Sequence, residues 1–343
     1  MLDILSQVDE WLRQQKRVAL ATVVETWGSA PRRVGSKMAV AQDMAMVGSV
    51  SGGCVEGAVI EEALVALEDN QPRLLHYGVS DDDAWEVGLA CGGKISIWVE
   101  PLDVRWWRLA EDAARHDQPL TTLTVLEGDA AGAKIAYSAD DQIVYTNDRV
   151  SSEQAQAFAA VMPHMPSGRA TVAAQAVMVD NIMPRPHSVM IGGVHMRRRC
   201  SISPGRSASL VTLIDPRDAF ATDERFPDVD CIFHSYPDKA LAQISIDANT
   251  YIAVLTHDPK IDDRALKAAL AAQPAYIGVL SSRRTHEKRI ERLTGAGIAL
   301  SELERLHTPI GLSIGAATPE EIALAIMAEV VAVKNRKAAA QPV

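Results

Sequence analysis

The sequence predicts an α/β protein with two folded domains, and three features support this. Its 343 residues are enough for two ordinary hydrophobic cores. Apolar β-branched runs alternate with stretches whose apolar residues recur at helical spacing. From His187 onward the alternation becomes regular, as in a parallel sheet joined by crossover helices. We place a mixed α/β domain at residues 1–103, a connecting α/β region at 104–185, a parallel-sheet domain at 186–335 and a tail at 336–343.

The first domain begins with an amphipathic helix over residues 2–14. Apolar, β-branched composition predicts strands at 18–25, 38–41, 47–50, 73–78 and 95–100, and the pattern at 58–67 predicts a helix. The loop from Thr26 to Lys37 carries three cations, Arg32, Arg33 and Lys37. They are either solvated surface residues or contacts for an anionic ligand.

A glycine-rich stretch, Gly48 to Gly57, lies between a predicted strand and a predicted helix and contains Gly52, Gly53 and Cys54. Backbone N–H groups at a helix N-terminus are unpaired and carry partial positive charge, which suits an anion. The same field favours a thiolate, so Cys54 is either a reactive sulfur or sulfur ligand, or a small residue packed in a tight turn.

A second glycine-flanked thiol, Cys91-Gly92-Gly93, precedes the strand at 95–100. Its likeness to the first stretch predicts a pocket shared by both thiols. Cys91 is the weaker candidate because it precedes a strand and not a helix.

The connecting region is predicted to contain helices at 104–116 and 151–161 and strands at 120–126, 134–137 and 142–145. In the last domain, strands are predicted at 188–191, 210–214, 231–234, 251–255 and 276–280, with helices at 262–271 and from Thr318. The first of these strands runs into Gly192-Gly193-Val194-His195 and the second into Asp215-Pro216-Arg217. An acidic residue roughly twenty positions after a glycine turn is the usual ribose acceptor of a nucleotide-binding fold, although Asp215 is also an ordinary turn starter.

Polar residues follow several strands of this domain. Open α/β sheets bind ligands at the carboxyl ends of their strands. The candidate binding residues there are Gly192, Gly193, His195, Asp215, Arg217, His257, Asp258, Ser281, Arg283, Arg284 and His286. A lone histidine at a strand end is more often structural than catalytic.

The segment from Met196 to Ser209 conflicts with the predicted fold. A parallel strand pair needs a crossover there, but the segment lacks an apolar face and contains Pro204 and Gly205. One hypothesis is a pair of compensating single-base slips in the recorded gene. Codons permitted for Cys200 to Ser209, read one base out of phase, can spell an apolar helix that ends in glycine. Resequencing the DNA distinguishes this hypothesis from genuine divergence.

Composition excludes several classes of protein. A formal charge of −10 argues against a general nucleic-acid or anionic-membrane binder. Four scattered cysteines, none in a C-x-x-C pair, do not predict a disulfide framework or a structural zinc site. The N-terminus lacks the features of a secretory signal, and no run of about twenty apolar residues exists to span a membrane. We therefore expect a cytoplasmic protein.

Several stretches resemble the XdhC/CoxI family, the accessory proteins that help to mature molybdenum hydroxylases such as xanthine dehydrogenase. The resemblance covers both ends of the chain and is weakest over residues 104–185. The matching stretches are Thr26 to Lys37, Gly48 to Gly57, Cys91 to Leu102, Asp215 to Arg217, Glu224 to Pro227, Thr256 to Asp258, Tyr276 to Leu280, Arg283 to His286, Pro309 to Leu312 and Gly315 to Ile322.

This resemblance implies an N-terminal XdhC/CoxI domain and a C-terminal Rossmann-like domain. It also implies binding of molybdenum cofactor, as molybdopterin or its nucleotide form, support for its sulfuration, and delivery to a molybdenum hydroxylase apo-enzyme. A cysteine desulfurase as a second partner and a homodimer follow from the same resemblance. Such a chaperone has little or no turnover of its own, and Cys54 is its candidate contact to molybdenum or sulfur.

Two alternatives remain open. The first is an NAD(P)-dependent oxidoreductase that uses the C-terminal domain, with His195 or His257 as acid or base. The second is a regulatory module that binds a cytidine or adenine nucleotide, for which Asp215 would favour a ribose-bearing ligand. The irregular segment after His195 counts against nucleotide binding at Gly192 and Gly193.

Overall fold

The computed structural model describes residues 1–28, 32–78, 93–159, 165–193 and 209–339. The chain forms two compact units, Met1–Pro184 and Arg185–Val343. The irregular segment from Met196 to Ser209 lies outside the described residues, apart from Ser209. Over the ranges that are described, no helix is long and apolar enough to cross a membrane.

The first unit opens with a helix and a five-stranded sheet, here named sheet A. Its elements are α1 (Leu5–Arg13), β1 (Val18–Trp27), β2 (Lys37–Ala41), β3 (Met46–Gly48), α2 (Glu56–Asp69), β4 (Arg73–Gly78) and β5 (Lys94–Pro101). The strand order is β3-β2-β1-β5-β4, and all neighbours are antiparallel. One face is apolar because α2 packs on it, through Val59 and Ala63 against Val23 and Ile97.

A second five-stranded sheet, sheet B, completes this unit. Its elements are α3 (Val104–Arg115), β6 (Leu120–Val125), β7 (Lys134–Ser138), β8 (Ile143–Thr146), α4 (Ser152–Ala159), β9 (Gly168–Val172) and β10 (Gln175–Ile182). The order is β8-β7-β6-β10-β9, again antiparallel. Strands β9 and β10 were not predicted from the sequence. Their two-residue turn is Ala173-Ala174, with positive φ at both positions, instead of the Asn-Gly or Asp-Gly that signals such a turn.

The second unit contains one six-stranded sheet. Its strands are β11 (His187–Ile191), β12 (Leu210–Ile214), β13 (Cys231–Phe233), β14 (Thr250–Val254), β15 (Tyr276–Val279) and β16 (Leu306–His307). Its helices are α5 (Pro237–Leu241), α6 (Pro259–Ala272), α7 (Arg283–Gly295), α8 (Leu300–Leu303) and α9 (Pro319–Ala339), with a 3₁₀ turn at Asp218–Phe220.

All strands of this sheet are parallel, in the order β13-β12-β11-β14-β15-β16. Counted within the unit, this is the 3-2-1-4-5-6 order of a doubly wound dinucleotide-binding fold. Separate apolar clusters cover its two faces. The predicted fold class, a mixed α/β protein with a Rossmann-like parallel sheet, is confirmed.

Candidate functional site

One end of sheet A brings together the loops that the sequence analysis selected. In sheet A, Lys37 at the start of β2 pairs with Thr22 of β1, and Gly48 at the end of β3 pairs with Met38 of β2. Lys94 pairs with both Trp27 and Gly78. The loop after β1, the loop before α2 and the connection from β4 to β5 therefore all leave the sheet at the same end. The predicted pocket shared by Cys54 and Cys91 stays a prediction, because Cys91 lies outside the described residues.

The loop before α2 is held by the carboxylate of Glu56. Its oxygens accept hydrogen bonds from Ser49 Oγ (2.7 Å) and from the backbone N–H groups of Ser51 (2.9 Å), Gly52 (3.0 Å) and Gly53 (2.8 Å), and also from Ser51 Oγ. Burial raises the pKa of Glu56, but the hydrogen bonds from Ser51 and Ser49 outweigh it and lower the pKa to about 2. The prediction that the backbone N–H groups of Gly52 and Gly53 are unpaired and open to an anion is corrected, because both donate to Glu56.

Cys54 lies at the tip of this loop, immediately before Val55, the N-cap of α2. Its backbone N–H donates to Ser51 Oγ at 3.0 Å, while the residue is exposed and its thiol is free. The alternative of a cysteine packed in a tight turn does not fit this exposure. Contact between Cys54 and a cofactor stays a prediction.

The cations of the loop after β1 differ from one another. Arg32 and Arg33 are exposed, and neither forms an ion pair with another residue in the described ranges. Lys37 is 4% exposed, and its Nζ lies 2.6 Å from Asp180 Oδ2 in sheet B. Lys37 is therefore a structural residue and is removed from the candidate ligand contacts. Cys91 and Gly92 lie outside the described residues, and Gly93 is buried just before β5.

A groove of about 340 Å³ opens at the same end of sheet A. It is lined by Glu25, Trp27, His76, Tyr77, Gly78, Lys94, Ile95 and Ser96. None of these was predicted from the sequence as a site residue. The signal that could have found them is the run Glu25-Thr26-Trp27, in which a carboxylate and a large aromatic residue share a strand face just before the cationic loop.

In the second unit, Asp215 follows β12 as predicted, but its carboxylate is fully buried. It accepts from the N–H of Gly193 (2.7 Å), from the N–H of Arg217 (3.0 Å), and from Arg217 Nε (2.8 Å) and Nη2 (2.7 Å). Burial raises the pKa of Asp215, but the bonds from Arg217 and Gly193 lower it overall. The prediction that Asp215 accepts a hydrogen bond from a ribose is corrected, because these bonds already engage both of its carboxylate oxygens.

The two glycines after β11 are required by close packing. A Cβ on Gly193 would lie 2.2 Å from the backbone oxygen of Phe220, and one on Gly192 would lie 2.4 Å from Thr256 Cγ2. Gly192 also has a φ of +107°, which favours glycine. The chain after β12 thus covers Gly193, and a phosphate would have to displace the 3₁₀ turn to approach its Cα from that side. His195 lies outside the described residues.

The remaining predicted residues surround the ends of β14 and β15. Asp258 is the N-cap of α6 and accepts from Lys260 N at 2.9 Å, which is a structural role. His257 and Arg284 are exposed, and Ser281 is buried with its hydroxyl on the carbonyl of Ser282. Arg283 begins α7, and its side chain is outside what the structure describes. His286 lies on the first turn of α7, where burial lowers its pKa.

A buried ion pair near these residues was not predicted. Arg289 on α7 and Asp262 on α6 are each 1% exposed, with Nη2 2.9 Å from Oδ2, and Asp262 also accepts from Thr256 Oγ1. Arg289 Nε and Nη1 have no hydrogen-bond partner within the described part of the chain. Nothing in the charged sequence of α7 distinguishes Arg289 from its neighbours.

No group of three or more His, Cys, Asp or Glu side chains is placed to hold a metal ion in the ranges that the structure describes.

Two family models match the chain. One, described as the XdhC and CoxI family, matches residues 11–78, and the other, described as the XdhC Rossmann domain, matches residues 189–330. A crystal structure described as a xanthine dehydrogenase from Bacillus halodurans superposes with a TM-score of 0.78 at 22% identity, covering 98% of each chain. At that identity the likeness shows the fold alone.

Three curated relatives align with nearly the whole chain. The molybdenum cofactor insertion chaperone PaoD of Escherichia coli K12 is 29% identical over 96% of this chain and 88% of its own length. A protein of Bacillus subtilis 168 named as a probable xanthine dehydrogenase component is 25% identical over 97% and 98%, respectively. YqeB of E. coli K12 is 25% identical over 97% of this chain, which spans only 47% of that longer protein. With one matched domain in each unit and the predicted motifs in order, the chain belongs to the XdhC and CoxI family.

Proposed function

We propose that this protein binds molybdenum cofactor as cargo and delivers it to a xanthine dehydrogenase-type molybdoenzyme, with little or no turnover of its own. The observation that carries the proposal is the exposed thiol of Cys54 on a loop fixed by Glu56, within the stretch matched by the XdhC and CoxI model. The relative named as a molybdenum cofactor insertion chaperone supports the same assignment.

The residues at this end of sheet A suit the chemistry of the cargo. Molybdenum cofactor carries an anionic phosphate, a dithiolene and a molybdenum whose sulfido ligand is lost in water. Exposed Arg32 and Arg33 offer guanidinium groups that bind phosphate in a bidentate manner. A thiolate is a soft ligand, and Cys54 can contact molybdenum or its sulfur. The roles of these residues, and those predicted for Cys91, Gly92 and Gly93, are part of the proposal.

The proposal extends to partners and place. While the cofactor is held, a cysteine desulfurase supplies the sulfur for its sulfuration, and the loaded protein then meets the apo-enzyme. We expect a cytoplasmic homodimer. The support for these points is the family membership, and the molybdoenzyme partner is further supported by the names of the relatives.

No second function is proposed. An oxidoreductase would need a ribose acceptor and an open glycine turn in the second unit. There, Asp215 is fully buried in bonds to Gly193 and Arg217. His257 is exposed at the strand end, and no observation assigns it a proton-transfer role.

The test is to incubate the purified protein with molybdopterin cofactor and, separately, with NADPH, and to measure bound molybdenum and bound nucleotide. The wild type and Cys231→Ala, which removes the other exposed thiol of the described residues, should retain molybdenum and activate the apo-enzyme. Cys54→Ala should retain less and activate less. Equal activation by Cys54→Ala would remove Cys54 from the mechanism. Bound nucleotide without bound molybdenum would favour the oxidoreductase.

A further inference from the structure

We propose that the groove at the end of sheet A binds the 2-amino-4-oxopyrimidine part of the pterin ring, stacked on Trp27 with its N–H edge on the carboxylate of Glu25. This inference rests on the proposed function and assigns the cargo's organic ring to a named subsite. It uses residues that lie apart from the Cys54 loop and have no assigned role.

The groove has the size and the lining of a small-molecule site. Its volume of about 340 Å³ falls in the range of roughly 300–1,000 Å³ that is usual for ligand pockets. Trp27 supplies an exposed aromatic surface among four polar groups, Glu25, His76, Lys94 and Ser96. This combination of apolar surface with sparse, placed polar atoms is what fixes the orientation of a planar heterocycle.

Strand register places the polar groups on one face. Glu25, Ser96 and His76 are directly paired across β1, β5 and β4, and Trp27, Lys94 and Gly78 form the next such row. A register shift between Val23 and Glu25 interrupts the alternation of β1 at this point. Such bulges redirect side chains and are over-represented beside functional sites.

Trp27 is exposed to an unusual degree. It is 68% exposed, whereas Trp11, Trp98, Trp106 and Trp107 are each 4% exposed or less. The Nζ atom of Lys94 lies 5.9 Å from the centroid of the Trp27 indole ring, so a cation stands beside the aromatic surface. A large indole held in this way, and otherwise open to solvent, is a platform for stacking a flat ring.

Gly78 makes space for the Lys94 side chain. A Cβ at Gly78 would lie 2.8 Å from Lys94 Cγ, which is closer than real contacts allow. Because Gly78 lacks a side chain, the stem of Lys94 can lie across it with the ammonium at the rim of the groove. There the ammonium can reach an anionic group attached to the bound ring.

Glu25 supplies the complementary acceptor. Its side chain is 55% exposed, and its ion-pair partner in the described ranges is Arg169 at 3.7 Å, beyond hydrogen-bond distance. A carboxylate with both oxygens available accepts two parallel N–H bonds. A 2-amino-4-oxopyrimidine presents such a pair, its amino N–H and ring N–H. Ser96 Oγ and His76 Nδ1 lie 2.9 Å apart beside it and form a polar wall.

Guanine carries the same edge, so a guanine nucleotide is the other source of this chemistry. The two sources are distinguished with free pterin and GMP as separate probes. Titration of pterin with protein, followed by quenching of pterin fluorescence, gives its affinity. Competition by GMP gives the affinity of the nucleotide. Retention of molybdopterin cofactor is measured on the same proteins.

The variants are Trp27→Leu, Trp27→Phe and Glu25→Gln, with Glu68→Gln at an exposed position of α2 as a control. Loss of one stacking contact should weaken pterin binding and cofactor retention about tenfold in Trp27→Leu, with most of the binding kept in Trp27→Phe. Glu25→Gln should lose about fivefold, because an amide cannot accept two N–H bonds from one edge. Glu68→Gln should match the wild type.

Each outcome decides a separate question. If the wild type retains the cofactor and Trp27→Leu and Glu25→Gln retain it equally well, the groove is not the pterin subsite, while the proposed function stands. If the wild type retains no cofactor, the proposed function and this inference fail together. Tighter binding of GMP than of pterin would overturn the assignment to the cofactor ring.

Discussion

Replacing Glu56 by glutamine should loosen the loop that presents Cys54. The carboxylate accepts from two serine hydroxyls and three backbone N–H groups. A glutamine has one acceptor oxygen, and its NH₂ group in place of Oε2 would face the N–H of Gly53, now 2.8 Å away. Two donors would then oppose each other, so at least one N–H of the loop would lose its partner.

The magnitude follows from the pKa of Glu56. Its lowering from 4.5 to about 2 corresponds to about 3 kcal/mol in favour of the folded, ionised state. Because the folded pKa is depressed, this stabilisation is complete above pH 4.5 and is lost as the pH falls toward 2. The difference between wild type and Glu56→Gln should therefore be constant near neutral pH and shrink below pH 4.5.

Hydrogen exchange measured by mass spectrometry on a peptide covering residues 49–56 is the suitable assay, because the two units need not unfold together. A loss of about 3 kcal/mol predicts exchange that is faster by on the order of 100-fold at pH 7. Glu61→Gln makes the same chemical change on the same helix, at an exposed position, and should leave the exchange unchanged. Equal protection of the loop in the two variants would refute the role given to Glu56.

Two further predictions concern packing and a buried ion pair. Gly193→Ala should lower the melting temperature of the second unit by several degrees, because its Cβ would lie 2.2 Å from the oxygen of Phe220; Gly295→Ala, with open space around it, should not. Lys134→Met should lower the free energy of unfolding, measured with urea, by about 3 kcal/mol. The Lys134 side chain is 2% exposed and its Nζ lies 2.5 Å from Glu100 Oε1, so the variant leaves that carboxylate without its cation. Adding Glu100→Gln should recover part of this loss, and a purely additive double variant would contradict the coupling.

Local patterns determined much of the fold. The strands Arg73–Gly78 and Leu210–Ile214 have the bounds that the sequence predicted, because apolar periodicity and turn residues act over a few positions. The hairpin with its turn at Ala173-Ala174 was not predicted, because this turn carries no glycine or asparagine. Helix α7 was not predicted, because its mostly charged sequence shows little apolar periodicity. The available signal was Ser282, an N-cap whose hydroxyl accepts a hydrogen bond from Thr285 N.

The sequence by itself determined the class of fold, the family, and the stretches that carry the candidate ligand contacts. Only the tertiary structure decided which of their groups are available to a ligand. Lys37 forms an ion pair with Asp180, which lies 143 positions away in the sequence. Asp215 accepts hydrogen bonds from Gly193 and Arg217. Spacing reveals the periodicity of a strand or helix, but the partner of a polar group depends on chain segments that only folding brings together. For the same reason the open face of Trp27 and Glu25 became visible only with β1, β4 and β5 in register.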